Sequence, residues 1–318
     1  MAKDDVLFLY VEHKDVTCIL FVCDTYLYSE HGKYYGKIMY SNKKVHEEYT
    51  LPGKKYKQLF FNCAYCYTKS KNIRPLSDEE LQKVGKALGL SLGIGIDKHL
   101  CGPSEDSNYS YLYSPLLNEQ YPSKEVQVFA NEIGLKYGVD PDDLRITGGL
   151  HLFPTPIFES HDIDIVIPID SHDQLTKLFD HIHAVKKKHV IEYGYMWPLR
   201  WFSSEGHLIC PFFVYRNLLP PIDRFVSNGM NYKGKVCISD DVYGIFNAPL
   251  LITDGGVKFV FCRSTLLRGM LRKGQDLHLD CPEYTVTSGS YKGNKVAIVT
   301  NPFKEIANIK DLLGEYRS

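Results

Sequence analysis

The chain has 318 residues, of which 44% are hydrophobic and 24% charged, with a formal net charge of −1. That length supports two or three domains and a sizeable core, and the composition excludes a disordered or fibrous chain. With 37 basic against 38 acidic side chains there is no general polyanion-binding surface, so a phosphate or nucleic-acid site has to be a local patch.

Residues 1–76 read as an antiparallel, β-rich domain. The segments "VLFLYVE", "VTCILFVCDTYLY", "KYYGKIMYS" and "YKQLFFNC" are β-branched and aromatic and are separated by short charged or Gly-containing turns. Tyrosine suits half-buried pleated surfaces, and its abundance fits this reading; the same rings also have the chemistry to stack bases. At "PLSDEELQKVGKALGL" the period changes. Ser77 with Glu80 forms a capping box, and Leu81, Val84 and Leu88 form a helical stripe. The Gly-, Ser- and Pro-rich stretch that follows, up to residue 123, is expected to be irregular.

Residues 77–225 are expected to form an α/β core. "SKEVQVFANEIGLKYG" is a helix with Val126, Phe129, Ile133 and Leu135 as its apolar residues and Gly138 as C-cap. "RITGGL" is a short strand entering a glycine turn, and "DIDIVIPI" is a strand. "SHDQLTKLFDHIHAVKKKHV" is a helix capped by Ser171, with Leu175, Leu178, Phe179 and Ile182 on one side; "HLICPFFVY" is another apolar strand. From residue 226 to 318 the pattern returns to β, in "GKVCISDDVYGI", "APLLITDGG", "VKFVFCRS", "DLHLDCPEYTV" and "NKVAIVTN". One short helix, "KEIANIKDLLGEY", closes the chain.

Nine cysteines at irregular spacing, several inside apolar runs, read as reduced thiols of a cytoplasmic protein. The single C-x-x-C, Cys63 to Cys66, has no second pair to complete a structural zinc site. The N-terminus lacks a signal-peptide pattern, and no run approaches the roughly 20 apolar residues of a membrane span.

The chemistry concentrates in residues 147–165. Side chains two apart on a strand share a face, so Asp162 and Asp164 point one way while Ile163 and Ile165 pack the core. Two carboxylates about 5 Å apart repel by roughly 3 kcal/mol at an effective dielectric of 20, a cost that a divalent cation between them removes. Upstream, a backbone without side chains at Gly148 and Gly149 can approach a phosphate and donate N–H bonds to it. The alternative for this pair of acids is an edge strand that turns them to solvent, and for the glycines an ordinary tight turn. His151 and His161 flank the segment and are equally compatible with ordinary hydrogen bonding. Lys186, Lys187 and Lys188 have the charge to meet phosphates but better suit a helix C-terminus, and Arg268 and Arg272 have the charge to touch nucleic acid but better suit surface ion pairs.

A hydrophobic strand, "TGG" at Thr147–Gly149, twelve intervening residues and "DIDI" at 162–165 resemble the signature of the polymerase-beta-type nucleotidyltransferase superfamily. More narrowly, the layout is similar to archaeal-type predicted nucleotidyltransferases with flanking β-rich domains, whose Arg-Gly-x-x-x-x-Gly-Asp pattern "LRGMLRKGQDLHL" at 267–279 resembles. The resemblance implies an α+β fold with a nucleotidyltransferase core between two β-rich domains. It implies Asp162 and Asp164 as catalytic ligands of Mg2+ or Mn2+, and Thr147, Gly148 and Gly149 as the binding site for the triphosphate of an NTP such as ATP. The acceptor would be a hydroxyl of a nucleic acid, a protein or a smaller molecule. Two features depart from the pattern. Pro154 and Pro156 interrupt the segment where a helix is expected. Cys210 stands where a third carboxylate is expected, and Glu159, Glu192 and Glu205 are the neighbouring acids. Without that acid, a nucleotide- or nucleic-acid-binding protein of impaired turnover is the alternative, with a purely structural assembly protein as a third.

Overall fold

The computed structural model describes the backbone of eight strand segments between residues 6 and 113 and most of residues 114–313. Residues 1–5, the connections between those first strands, and 149, 151–155, 161, 185–189, 193–194, 223, 264–266 and 314–318 lie outside the description. The predicted helix from Ser77, the C-x-x-C side chains, Gly149, His151, Pro154, His161 and the three consecutive lysines therefore fall outside it.

Antiparallel strands β1 (Val6–His13), β2 (Val16–Asp24) and β3 (Lys33–Ser41) form a meander, as their aromatic and β-branched composition predicts. Short β4 (Tyr49–Thr50) and β5 (Lys57–Gln58) pair with each other, and β6 (Tyr65–Thr68) continues the main sheet beside β3. The other edge of that sheet corrects the expectation of an irregular stretch up to residue 123. β7 (Arg74–Pro75) lies beside β8 (Asn108–Tyr113), which pairs antiparallel with β1. "NYSYLY" alternates tyrosine with other residues at period two, a strand signal that its Gly- and Pro-rich flanks obscure.

The central layer is a mixed sheet with helices packed on it. Helix α1 (Leu117–Gln120) leads into α2 (Lys124–Tyr137), where Ser123 Oγ accepts from Val126 N and Gly138 closes the C-terminus in the left-handed region at φ 66°. Val126, Phe129, Ala130 and Ile133 are its buried face. Strand β9 (Arg145–Ile146) then runs antiparallel to β10 (Asp162–Ile169). Helix α3 (His172–Ala184) follows, with Ser171 Oγ accepting from Gln174 N and with Leu175, Leu178 and Ile182 buried. β11 (Val190–Glu192) and β12 (Tyr195–Trp197) make a small ribbon. β13 (Trp201–Phe202) and β14 (Leu208–Tyr215) complete the sheet in the order β13-β14-β10-β9, with β14 parallel to β10.

The C-terminal part is a closed five-stranded barrel made of β15 (Phe225–Asp240), β16 (Leu250–Gly255), β17 (Phe259–Cys262), β18 (Asp276–Val286) and β19 (Lys295–Val299). All its neighbouring pairs are antiparallel except β17 with β19. Val236, Leu251, Val260, Leu277 and Ala297 belong to the barrel's own core. Leu250, Phe259, Phe261, Val296 and Ile298, which alternate with them, join the core of the central layer instead. Both faces of β16, β17 and β19 are thus buried, which explains their near-continuous apolar runs.

The single closing helix is also corrected. The chain forms two short helices, α4 (Pro302–Glu305) and α5 (Ile309–Leu313), because Ile306 bridges to Leu279 and Ala307 N donates to His278 O. Pairing with β18 there displaces helical continuation. The chain is thus a mixed α+β protein with mixed sheets. No helix among the described residues is long and apolar enough to cross a membrane.

Candidate active site

The site lies on one face of the central sheet. On β10 the residues Ile163, Ile165, Ile167 and Ile169 are fully buried in the main core, so the alternate positions, Asp162 and Asp164, face the other way. β14 runs beside β10 in parallel register, with Asp162 opposite Leu208 and Asp164 opposite Cys210. Leu208 and Cys210 belong to a separate small apolar cluster with Val190, bordered by Trp197 and Phe212. The two acids therefore sit at the edge of an apolar patch and remain partly exposed.

Ligand atoms of Asp162, Asp164 and Cys210 all lie within 4.8 Å of one another, and Cys210 Sγ stands 3.8 Å from Asp162 Oδ2. Among the described residues no further carboxylate or imidazole joins this group. Glu205 is exposed and lies 3.8 Å from His207, and Glu159 is exposed in a 3-10 turn. The side chain of Glu192 is outside the description. The place expected for a third acid is thus occupied by a thiol in register with Asp164.

The backbone entering the site is built for close approach. Thr147 N donates to Asp164 O at 3.0 Å, extending the β9–β10 ladder by one pair and setting Thr147 on the same face as Asp164. Thr147 is fully buried, and its Oγ1 has no hydrogen-bond partner. Gly148 follows in the left-handed region at φ 65°. A Cβ there would overlap Asp164 Oδ2 and come within 2.9 Å of Asp164 Cγ. Only glycine satisfies both the φ angle and the contact.

Two guanidinium groups border the site. Arg268, from the segment between β17 and β18, donates to Asn247 Oδ1 at 3.0 Å and to Pro211 O at 2.7 Å, with its guanidinium 4.8 Å from the centre of the Phe212 ring. Arg200 lies over Trp197. Burial, then the charge of Arg200, pushes Arg268 down to about 10, while Cys210, Asp164 and Tyr137 oppose the shift. Burial drives the Cys210 thiol well above its ordinary range; Arg200 works against this, and Asp164 and Asp162 reinforce it. The thiol is accordingly protonated and able to donate weakly to Asp162.

Thr147, Gly148, Asp162, Asp164 and Cys210 are brought together; Gly149 lies outside the described residues. Arg272 is not at the site: it pairs with Asp241 at 2.7 Å and contacts His183 Nδ1. Sequence reasoning missed Arg200, and it treated Arg268 as a surface group. The one available signal was the place of Arg268 at the head of the Arg-Gly pattern.

The donor set is of a kind that a divalent cation accepts, since ligand atoms of two carboxylates and a thiol lie within 4.8 Å of one another. It fits a hard cation less well than three carboxylates would. No protein-family model, curated protein or solved structure matches the chain.

Proposed function

We propose that the chain is a metal-dependent nucleotidyltransferase that moves a nucleoside monophosphate from an NTP to a hydroxyl acceptor, on a polymerase-beta-like core flanked by β-rich domains. The observation that carries this reading is the packing of Gly148 against the Asp164 carboxylate, on the sheet face that also holds Asp162. A backbone without a side chain, itself buried, thereby lies against a pair of carboxylates, the two kinds of group that phosphoryl chemistry uses.

Each residue then has a defined task. Asp162 and Asp164 hold Mg2+ or Mn2+, which when bound supplies Lewis-acid stabilisation of the phosphoryl oxygens. In this reading the backbone N–H groups of Gly148 and Gly149 would meet the triphosphate, with the buried, unpartnered Thr147 hydroxyl beside Gly148. Arg200 and Arg268 supply positive charge beside the carboxylates. Nucleic acid and protein hydroxyls are the acceptor classes to test first. The free Cys210, Cys237, Cys262 and Cys281 agree with a cytoplasmic setting.

A second reading has its own observation. Cys210 opposite Asp164 removes the acid that would help deprotonate an attacking hydroxyl, which favours a nucleotide-binding protein of impaired turnover. Label transfer separates the two. The protein is incubated with each α-labelled NTP, Mg2+ or Mn2+ and bulk RNA or protein, beside the Asp162→Ala/Asp164→Ala variant. Label moving only with intact aspartates establishes transfer. Metal-dependent NTP binding without transfer, lost in the variant, establishes binding alone. The absence of both refutes each reading.

A further inference from the structure

We infer that Cys210 is a metal ligand, and that the cation it shares with Asp162 and Asp164 is a borderline, thiolate-accepting ion such as Zn2+ or Co2+ rather than Mg2+. This rests on the two-aspartate metal site proposed above and replaces its Mg2+ or Mn2+ with a thiolate-accepting ion.

The geometry carries it. With metal–oxygen and metal–sulfur bonds of about 2.1 and 2.3 Å, two ligand atoms on one cation lie at most about 4.4 Å apart. The 3.8 Å between Cys210 Sγ and Asp162 Oδ2 then corresponds to a sulfur–metal–oxygen angle of roughly 120°, within reach of a tetrahedral site. At tetrahedral angles ligand atoms stand roughly 3.4–3.6 Å apart, so a pair at the group's outer limit of 4.8 Å has to close by a little over about 1 Å, within the reach of carboxylate rotation. Without a cation the same 3.8 Å lets the protonated thiol donate weakly to Asp162, a bond that metal loading would replace.

A second observation points into the same space. Thr147 lies on the face of Asp164, is fully buried, and has an Oγ1 without a partner. Buried hydroxyls are normally satisfied. A metal-bound water or a phosphate oxygen would satisfy this one.

Charge and chemistry select the ion. Two carboxylates and a thiolate carry three negative charges; a divalent cation leaves one, beside the guanidinium groups of Arg200 and Arg268. Mg2+ takes oxygen ligands, whereas thiolate, carboxylate and water together suit Zn2+ or Co2+. On loading, the Cys210 S–H bond breaks, its proton goes to solvent, and the sulfur takes the place of one metal-bound water.

The experiment is a Co2+ titration of the full chain, freed of metal and kept reduced, followed by the near-ultraviolet thiolate-to-cobalt charge-transfer band. Cys210→Ser and Cys210→Asp are titrated in parallel, with thermal unfolding to verify that each folds. The wild type should show the band. Cys210→Ser should lose it and bind Co2+ at least tenfold more weakly, and Cys210→Asp should lose it while binding Mn2+ more tightly than the wild type. A wild-type band that persists in Cys210→Ser, or no band at all, overturns the inference. If Mn2+ still binds and Asp162→Ala/Asp164→Ala abolishes it, the metal-site reading survives that failure. If neither ion binds, both fall.

Discussion

Gly148→Ala tests the site's backbone directly. At φ 65° an alanine carries a left-handed penalty of about 1–2 kcal/mol. Gly138 has nearly the same φ, 66°, but an added Cβ there meets nothing within 4 Å, so Gly138→Ala measures the backbone part alone. At Gly148 the new methyl would overlap Asp164 Oδ2 and approach Asp164 Cγ to 2.9 Å and Cβ to 3.1 Å. Ordinary carbon contacts are about 3.5–4.0 Å, so either the carboxylate turns away from Asp162 and Cys210 or the Thr147–Asp164 ladder opens. Overpacking of that kind adds about 1–3 kcal/mol. Urea unfolding of the metal-free proteins should show Gly148→Ala less stable than Gly138→Ala by about that amount. Mn2+ titration should show at least a tenfold loss of affinity in Gly148→Ala and none in Gly138→Ala. Equal stabilities together with equal affinities would refute the claim that Gly148 shapes the metal-binding face.

Arg268→Met removes the donors to Asn247 and Pro211 O and should cost about 2–3 kcal/mol in urea unfolding, with Arg268→Lys recovering little because an ammonium lacks the planar fork. Phe259→Ala opens a fully buried position between the barrel and the central layer and should cost about 3–5 kcal/mol by the same measurement. Asp170 is held below the usual carboxylate range chiefly by hydrogen bonding to Arg216, which also pairs with Asp143. A depressed folded value means stabilisation present above the unfolded pKa of about 3.9 and lost as pH falls through the folded value. Since these side chains are about a third exposed, the gain is at most about 1 kcal/mol. Asp170→Asn should therefore lower the urea midpoint at pH 7 and lose less than the wild type between pH 7 and pH 3.

The elements that follow local rules were legible in the sequence. Helix α2 has its cap residues at Ser123 and Gly138, α3 has Ser171, and β10 begins at Asp162, where the acid–apolar alternation begins. Strand period also put Asp162 and Asp164 on one face, whereas the place of Cys210 beside them came only from the resemblance, because the register of β10 with β14 pairs residues distant in sequence. What local reasoning missed depends on partners distant in sequence. β8 is a strand because β1 offers it an edge, and α4 stops because Ile306 finds Leu279. Arg200 and Arg268 approach Cys210 from segments about 70 residues apart, and nothing in either segment encodes the other.

The barrel explains how Arg268 arrives there. Its strand order is β15-β16-β17-β19-β18, with β17 parallel to β19. On β16 and β17 the side chains Leu250, Phe259 and Phe261 are buried in the core of the central layer. That face is consumed by packing. Its function in this chain is positional. Docking of β16, β17 and β19 fixes the segment after β17, and Arg268 reaches from that segment to Pro211 O, one residue beyond Cys210. The barrel thus anchors a cation to the strand that holds the thiol, and a substitution that loosens the barrel should alter the charge environment of the metal ligands before it touches any of them.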